Sequence, residues 1–333
     1  MLVNQAENIT FGSTEVQKVF LGSQLVWKKN TYDPTKIAVI KLDNDYQETS
    51  NIQYFDTIPE TRSALYSDTG NYYKIIIGEK AGTMEIPLRA FDSFSNIISI
   101  IIPSSVKSIG NSAFRYCKNL TEVIIPDSVV TIGASAFDFC SSLKNITIPD
   151  SVVTIGDNAF RQCTILTDVI IPGSVKTIGD YAFYSCSGLT NITIPNSVET
   201  IGNYAFRSCS SLTDIIIPNS VKAIGNHIFE QCTSLKNIII PDSVETIGNN
   251  AFYNCKSLTD VIIPENVKTI GDYAFYSCSG LTDITIPNSV ETIGYDAFRG
   301  CTSLKNIIIK KPENSISGAS WGASYTVKII WTE

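Results

Sequence analysis

The chain reads as an α/β repeat protein: a solenoid with a parallel β ribbon and a short helix in each coil, preceded by a small β-rich N-terminal region. Two observations predict this. A 23-residue unit recurs nine times between about residues 103 and 309, in the form I-P-x-S-V-x-x-I-G-x-x-A-F-x-x-C-x-x-L-x-x-I-x-I. Its prolines (Pro103, Pro126, Pro149, Pro172, Pro195, Pro218, Pro241, Pro264, Pro287) keep one register without a slipped residue. A unit this short cannot bury its apolar face alone, so neighbours must stack and present an extended surface instead of a pocket.

Taken in chain order, residues 1–30 form a separate β module. Ile9-Thr10-Phe11-Gly12-Ser13 and Val19-Phe20-Leu21-Gly22-Ser23-Gln24-Leu25-Val26-Trp27 read as short strands broken at Gly-Ser turns. Runs at 35–42 and at Tyr72–Ile77 predict further strands, which makes 31–82 either a β-rich spacer or an N-terminal cap. Ala90-Phe91 stands 23 residues before Ala113-Phe114, with Phe94 in place of the expected Cys. The solenoid therefore spans 83–309, one degenerate unit followed by nine regular ones. At its end Lys310 occupies the place of a tenth proline, and the tail 310–333 abandons the pattern. Trp321 and Trp331 supply apolar bulk to cover the last coil, so this tail is expected to be the C-terminal cap.

Within the unit at 126–148 the residue types divide the work. Pro126-Asp127-Ser128 makes a turn, because proline donates no hydrogen bond while Asp and Ser bond nearby backbone. Val129 and Ile132 point inward, and Gly133 permits a bend. The next position is Asn or Asp in seven of the nine units, which suits a helix N-cap. Ala136, Phe137, Cys140 and Leu143 then form an inward stripe at helical spacing. Ile146-Thr147-Ile148 alternates inward, outward, inward, as a half-buried strand does.

Composition narrows the function. The chain is 44% hydrophobic and 17% charged, enough apolar material for a core. No run approaches the roughly 18 apolar residues of a membrane span, so no membrane insertion is expected. A net charge of −7, with lysines scattered among acids, argues against a nucleic-acid partner. Residues 1–10 carry neither a basic region nor an apolar stretch of signal-peptide length.

The unit Leu143-x-x-Ile146-x-Ile148-Pro149-x-x-Val152-x-x-Ile155-Gly156-x-x-Ala159-Phe160-x-x-Cys163 resembles the BspA-like leucine-rich repeat family, found on surfaces of bacteria and some protists and in phage-encoded proteins. It departs from the general leucine-rich pattern in carrying its Cys on the helical side of the coil. The resemblance implies a leucine-rich-repeat solenoid with a binding or adhesion role and no shared catalytic residues. Lys18–Trp27 is similar to a short β module that opens phage virion proteins and occurs in bacterial surface proteins. That likeness implies attachment of the chain to a larger assembly. The tail resembles C-terminal caps of repeat proteins from gut bacteria and their phages.

Little in the sequence suggests chemistry. The nine cysteines share one inward position, so neighbours stack with parallel Cβ vectors about 5 Å apart, longer than a disulfide prefers. They read as buried free thiols. His227 is the one histidine of the chain, and it replaces a tyrosine or polar residue at a surface position, which leaves catalytic triads and zinc sites without support. Asp43-Asn44-Asp45 lacks the glycine and distant glutamate of a calcium loop. No catalytic, metal or cofactor site is expected.

Two surface registers remain. Outward on the ribbon run Ile170, Ile216, Ile239 and Ile262, with threonine at 147, 193 and 285 in the same row, flanked by Asp168, Asp214 and Asp260 among amides. Such a row either simply stabilises adjacent strands or binds a partner. On the helices, Tyr181, Tyr184, Tyr204, Arg207, Tyr273 and Tyr276 fall at outward positions on the convex side, where tyrosine and arginine serve as interface anchors. Copying alone could have multiplied the tyrosines, since the units at 173–195 and 265–287 differ at three positions. The expected function is non-enzymatic binding or adhesion on a virion (tail or fibre, host recognition) or a bacterial cell surface, holding a host or neighbouring protein or glycan. The alternative is a structural spacer whose N-terminal module makes the important contact.

Overall fold

The computed structural model describes residues 18–21, 24–28, 33, 35–66, 68, 70–78, 84–313, 315–316 and 320–332, with the backbone alone at 18–28. Strands β1 (Lys18–Leu21) and β2 (Gln24–Lys28) pair as an antiparallel hairpin. The expected strand at Ile9–Ser13 lies outside the described residues. β3 (Ile37–Leu42) pairs antiparallel with β4 (Glu48–Phe55) on one side and with β5 (Tyr73–Ile77) on the other. Between them lies α1 (Ile58–Tyr66), an element not expected from the sequence. A capping arrangement starts it: Glu60 Oε2 accepts from the Thr57 amide at 3.1 Å, and Thr57 Oγ1 accepts from the Glu60 amide at 3.3 Å.

β5 pairs parallel with Ile97–Ile101, which pairs parallel with Glu122–Ile124, so the small N-terminal sheet runs directly into the solenoid ribbon. Helix α1 lies over the first coil, where Tyr66 meets Phe94 edge-on at 6.4 Å and the Arg62 guanidinium sits 5.6 Å from the same ring. Phe94 stands where later coils have Cys because it faces a helix instead of another coil.

From here residue n pairs with residue n+23. On the first ribbon Asp168, Val169 and Ile170 pair with Asn191, Ile192 and Thr193. A second parallel ribbon, not anticipated from the sequence, forms from the Thr-Ile dipeptides, in which Thr131 and Ile132 pair with Thr154 and Ile155. Proline separates the two ribbons in a tight turn: the Val129 amide donates to the Pro126 carbonyl at 3.1 Å, and Ser128 Oγ–H reaches the Val106 carbonyl of the preceding coil at 2.6 Å.

The helix expected in each coil is replaced by an arch of turns. Ala136, Asp138 and Cys140 donate their amides three residues back, to Gly133, Ser135 and Phe137. The intervening amides of Ser135, Phe137 and Phe139 donate at 2.7–2.8 Å to carbonyls of Asp157, Ala159 and Arg161 in the next coil. A helix would spend all of these amides internally; the arch uses half of them to bind its neighbour. Its geometry requires left-handed backbone at two non-glycine positions, Ser135 (φ 56°) and Phe139 (φ 60°), a strain of about 1 kcal/mol each that the intercoil bonds offset. The apolar stripe Ala136-Phe137-Cys140-Leu143 fits both geometries, since turns that close three residues back space their inward side chains much as a helix does.

The Asn or Asp expected as an N-cap is likewise an intercoil device. Asn111 Oδ1 accepts from the Ala134 amide at 2.9 Å, Asp157 Oδ1 from the Asp180 amide at 2.9 Å, and Asp180 Oδ1 from the Asn203 amide at 2.7 Å, one coil further each time. The adjacent glycine is needed for closeness and not for a bend: a Cβ on Gly133 would lie 2.7 Å from both the Ile109 carbonyl oxygen and Asn111 Oδ1.

The core is a set of ladders. The rings of Phe91, Phe114, Phe137, Phe160, Phe183, Phe206, Phe229, Phe252, Phe275 and Phe298 stack face to face, with centroids 5.2–5.7 Å apart. The nine cysteines are free and buried beside them. Each thiol donates to the phenylalanine carbonyl of the coil before, as Cys140 does to Phe114 at 3.1 Å and Cys209 to Phe183 at 3.1 Å. Burial pushes every one of these thiols up, Cys301 to about 12. Beyond the last coil the chain keeps the geometry after losing the sequence pattern. Lys328–Trp331 pairs parallel with Asn306–Ile309, buried Trp321 accepts the Phe298 amide through its carbonyl at 3.0 Å, and Trp331 packs partly buried against the core.

Phe206→Ala is expected to cost about 3–5 kcal/mol by opening a cavity in the phenylalanine stack, read from denaturant melts. Asp180→Ala should cost about 1–2 kcal/mol by orphaning the Asn203 amide, whereas Asn191→Ala, exposed on the ribbon, should stay within about 0.5 kcal/mol. A maleimide reagent should label few cysteines in the native protein and all nine after denaturation, with the same count with or without reductant. Labelling that rises after reduction would show disulfides instead.

Candidate functional site

The first ribbon carries two outward rows. Because side chains alternate along a strand, Asp168 and Ile170 both face solvent while Val169 between them is buried. Repeated coil by coil, this produces a row of Ile170, Thr193, Ile216, Ile239, Ile262 and Thr285, all exposed. The isoleucines are 77%, 61%, 58% and 82% open to solvent, values a core-seeking side chain does not reach by accident of packing. Beside it runs Asp168, Asn191, Asp214, Asn237, Asp260 and Asp283, also exposed. Asn237 Nδ2 donates to Asp214 Oδ1 at 2.6 Å, and this bond, with one from the Thr213 side chain, holds the Asp214 carboxyl below the usual range.

Towards the N-terminus the same outward face is closed. Ala38, Ile40, Ile76 and Ile101 form a second apolar cluster, separate from the main core, with Ile52 and Ile124 packed against it. Lys74, buried on the same face, pairs with Glu48 at 2.7 Å. Burial raises the neighbouring Glu122 carboxyl, although Lys74 and Ser99 partly offset this. The isoleucine row is therefore covered at one end and open through the middle of the solenoid.

The tyrosine and arginine residues sit differently from the expectation of free, outward anchors. All six are half-buried on the arch and engage one another. Tyr181 stacks on Tyr204 at 4.5 Å, and Tyr204 on His227 at 4.3 Å. Tyr181 meets Tyr184 edge-on at 5.8 Å, and Tyr273 meets Tyr276 in the same way. Arg207 pairs with Glu230 at 2.9 Å, with its guanidinium 5.6 Å from the Tyr184 ring and 5.7 Å from that of Tyr204. His227 is part of this ladder and not a loose surface substitution, since Nδ1 lies 2.6 Å from Glu230 Oε2. Positions 181, 204, 227 and 273 are left-handed; the first three stack because their coils do, whereas Tyr273 meets Tyr295 of the next coil edge-on at 5.6 Å. These contacts join coil to coil and leave the six side chains half-buried.

A shallow polar trough, which sequence reasoning missed, lies next to this ladder, lined by Gln162, Ser185, Ser208, Gln231, Thr164 and Thr233 among others. Its residues occupy two unit positions, those on either side of each cysteine from Cys163 to Cys255, and the recurrence of polar residues there at 23-residue spacing is the signal the sequence offers. Several of its hydroxyls are already engaged: Ser208 donates to Gln231 at 3.0 Å, and Thr164 Oγ1–H to the Ser141 carbonyl at 3.4 Å. Among the described residues no group of three or more metal-ligating side chains comes together, and no helix is long and apolar enough to cross a membrane.

Comparison with known proteins agrees with this architecture. A search of curated protein sequences finds no match. Solved structures that resemble the chain include a leucine-rich cell surface protein from Faecalibacterium prausnitzii A2-165, 27% identical over 80% of this chain and 92% of that one, with a TM-score of 0.47. The pneumococcal vaccine antigen PcpA is 22% identical over 80% and 90%, with a TM-score of 0.44. A leucine-rich repeat protein from Bacteroides ovatus is 24% identical over 80% and 97%, with a TM-score of 0.39. The family model for the BspA-type leucine-rich repeat region, in 6 copies, matches residues 84–213 and 199–328, and the chain belongs to that family.

Proposed function

We propose that this protein is a non-enzymatic binding or adhesion protein that holds a protein partner along the outer isoleucine row of its first ribbon. Display on a bacterial cell surface or a phage particle fits that role. The observation that carries the reading is the row itself: four isoleucines at least 58% exposed, aligned over five coils with Thr193 between the first two. An apolar surface of that continuity marks an interaction site more often than a free face. The tyrosine-arginine ladder, the competing candidate, already contacts itself. The BspA-type family supports a binding role, and the one histidine, engaged by Glu230 and Tyr204, is poorly placed as a catalytic base.

The test is an array of purified host surface proteins, extracellular-matrix proteins and glycans, probed with the full chain and with Ile216→Lys/Ile239→Lys. A protein hit that the double variant loses, while its far-UV spectrum and melting stay those of the parent, supports the reading. Retention of the hit by the lysine variant, or hits on glycans alone, overturns it.

A further inference from the structure

Several carboxylates of the arch and beside the second ribbon carry a built-in counter-charge, while others in the arch, Asp157 and Asp180 among them, accept a backbone amide of the next coil. Asp138 lies between Arg161 at 2.8 Å and Arg115 at 3.6 Å, Glu230 faces Arg207 at 2.9 Å, and Asp296 pairs with Arg299 at 2.9 Å. On the second ribbon Glu199 pairs with Lys176 at 3.1 Å and Glu245 with Lys268 at 3.5 Å. On the first ribbon Asp168, Asp214, Asp260 and Asp283 are exposed beside the isoleucine row, without an ion-pair partner among the described residues. Asparagines separate Asp168, Asp214 and Asp260, while Asp260 and Asp283 adjoin; the next row over is threonine from 167 to 282 except for Lys236 beside Asp214, with Lys144 and Lys305 one coil beyond either end.

Stacked coils fix these four charges in line. Asp260 and Asp283 stand about 5 Å apart and the others about 10 Å apart, within or near a Debye length, so their fields add along one edge of the apolar row. Two copies of the chain set face to face and antiparallel on this ribbon would bring these rows together, which disfavours self-association in that arrangement. Nucleic acid is disfavoured by the same sign of charge.

From this pattern we infer that the partner is a basic amphipathic protein segment, whose aliphatic side chains lie on the isoleucine row while its Lys or Arg side chains meet Asp168, Asp214, Asp260 and Asp283. A helix suits the spacing, since it repeats every roughly 5.4 Å against roughly 4.8 Å between coils. The inference rests on the reading of this ribbon as the binding face and specifies what that face selects.

The experiment is fluorescence anisotropy of the full chain with a labelled synthetic Leu–Lys amphipathic helix and a Leu–Glu helix of equal length, at low and at physiological salt. Three variants are compared after their melts are shown to match the parent. They are Asp214→Asn/Asp260→Asn/Asp283→Asn, Ile216→Ser/Ile239→Ser, and a control with equal charge loss on the second ribbon, Glu199→Gln/Glu245→Gln/Glu291→Gln. The parent should bind the Leu–Lys helix at least about tenfold more tightly than the Leu–Glu helix; the two first-ribbon variants should each lose about tenfold and the control less than about twofold. If the serine variant loses binding and the asparagine variant does not, the basic partner is overturned while the binding face stands. Unchanged binding in both overturns the face as well. A control that loses as much as the asparagine variant reduces the attraction to net charge and also overturns the inference.

Discussion

Every coil must satisfy the backbone of the coil beside it, and that requirement governs the rest of the molecule. The two ribbons, the alternate amides of the arch, the Asn/Asp row and the serine hydroxyls all bond to a residue 22 or 23 positions away. Repetition is thus a physical necessity here. A side chain placed in one coil meets its own copy in the next, so each position is suited to contact with itself. Phenylalanine stacks on phenylalanine, asparagine or aspartate bonds the next coil's amide through its side chain, and cysteine fits the narrow space where its thiol can reach a carbonyl. For charged residues self-contact is costly, because like charges about 4.8 Å apart repel, and pairs such as Asp157 with Asp180 and Asp260 with Asp283 are few. On the second ribbon the charges alternate instead, Lys176, Glu199, Lys222, Glu245, Lys268 and Glu291.

The two ends break the rule in opposite ways. At the N-terminus a sheet of β3, β4 and β5 continues the ribbon with a different chain path, and α1 covers the first coil with Arg62 and Tyr66 over Phe94. At the C-terminus the tail copies the coil without its sequence. The Lys328–Trp331 strand sits 22 residues from its partner, and Trp321, buried in the core, accepts the Phe298 amide through its carbonyl. Either solution protects the exposed rungs of ribbon and core that a bare solenoid would present.

Self-contact also separates the exposed first ribbon from the half-buried arch. The arch residues point out of the core, yet Tyr204 and Arg207 are consumed by the coils on either side. The isoleucines of the first ribbon gain only partial cover from their neighbours, since a β-branched chain standing upright on a parallel strand leaves its far methyl in solvent. Aromatic character alone favoured the arch; the degree of coverage favours the ribbon.

The sequence by itself determined the period, the register, the solenoid class and the identity of every core position from Val106 to Leu304, because each is dictated by residue type recurring at fixed spacing. It also placed Ile170 and Asp168 on the outer face, through the alternation of a strand. It left undecided what happens between Gly133 and Leu143, where a three-residue apolar spacing serves a helix and a chain of turns equally well. The choice is made by carbonyls such as Asp157, Ala159 and Arg161, which lie a coil away and need donors that a helix would withhold. For the same reason the second ribbon and the Asn/Asp row were invisible, since two-residue strands and side-chain bonds to another coil have no local signature. Nor could the sequence tell the free isoleucines from the occupied tyrosines, because both face outward in a single unit and differ only once the coils are stacked.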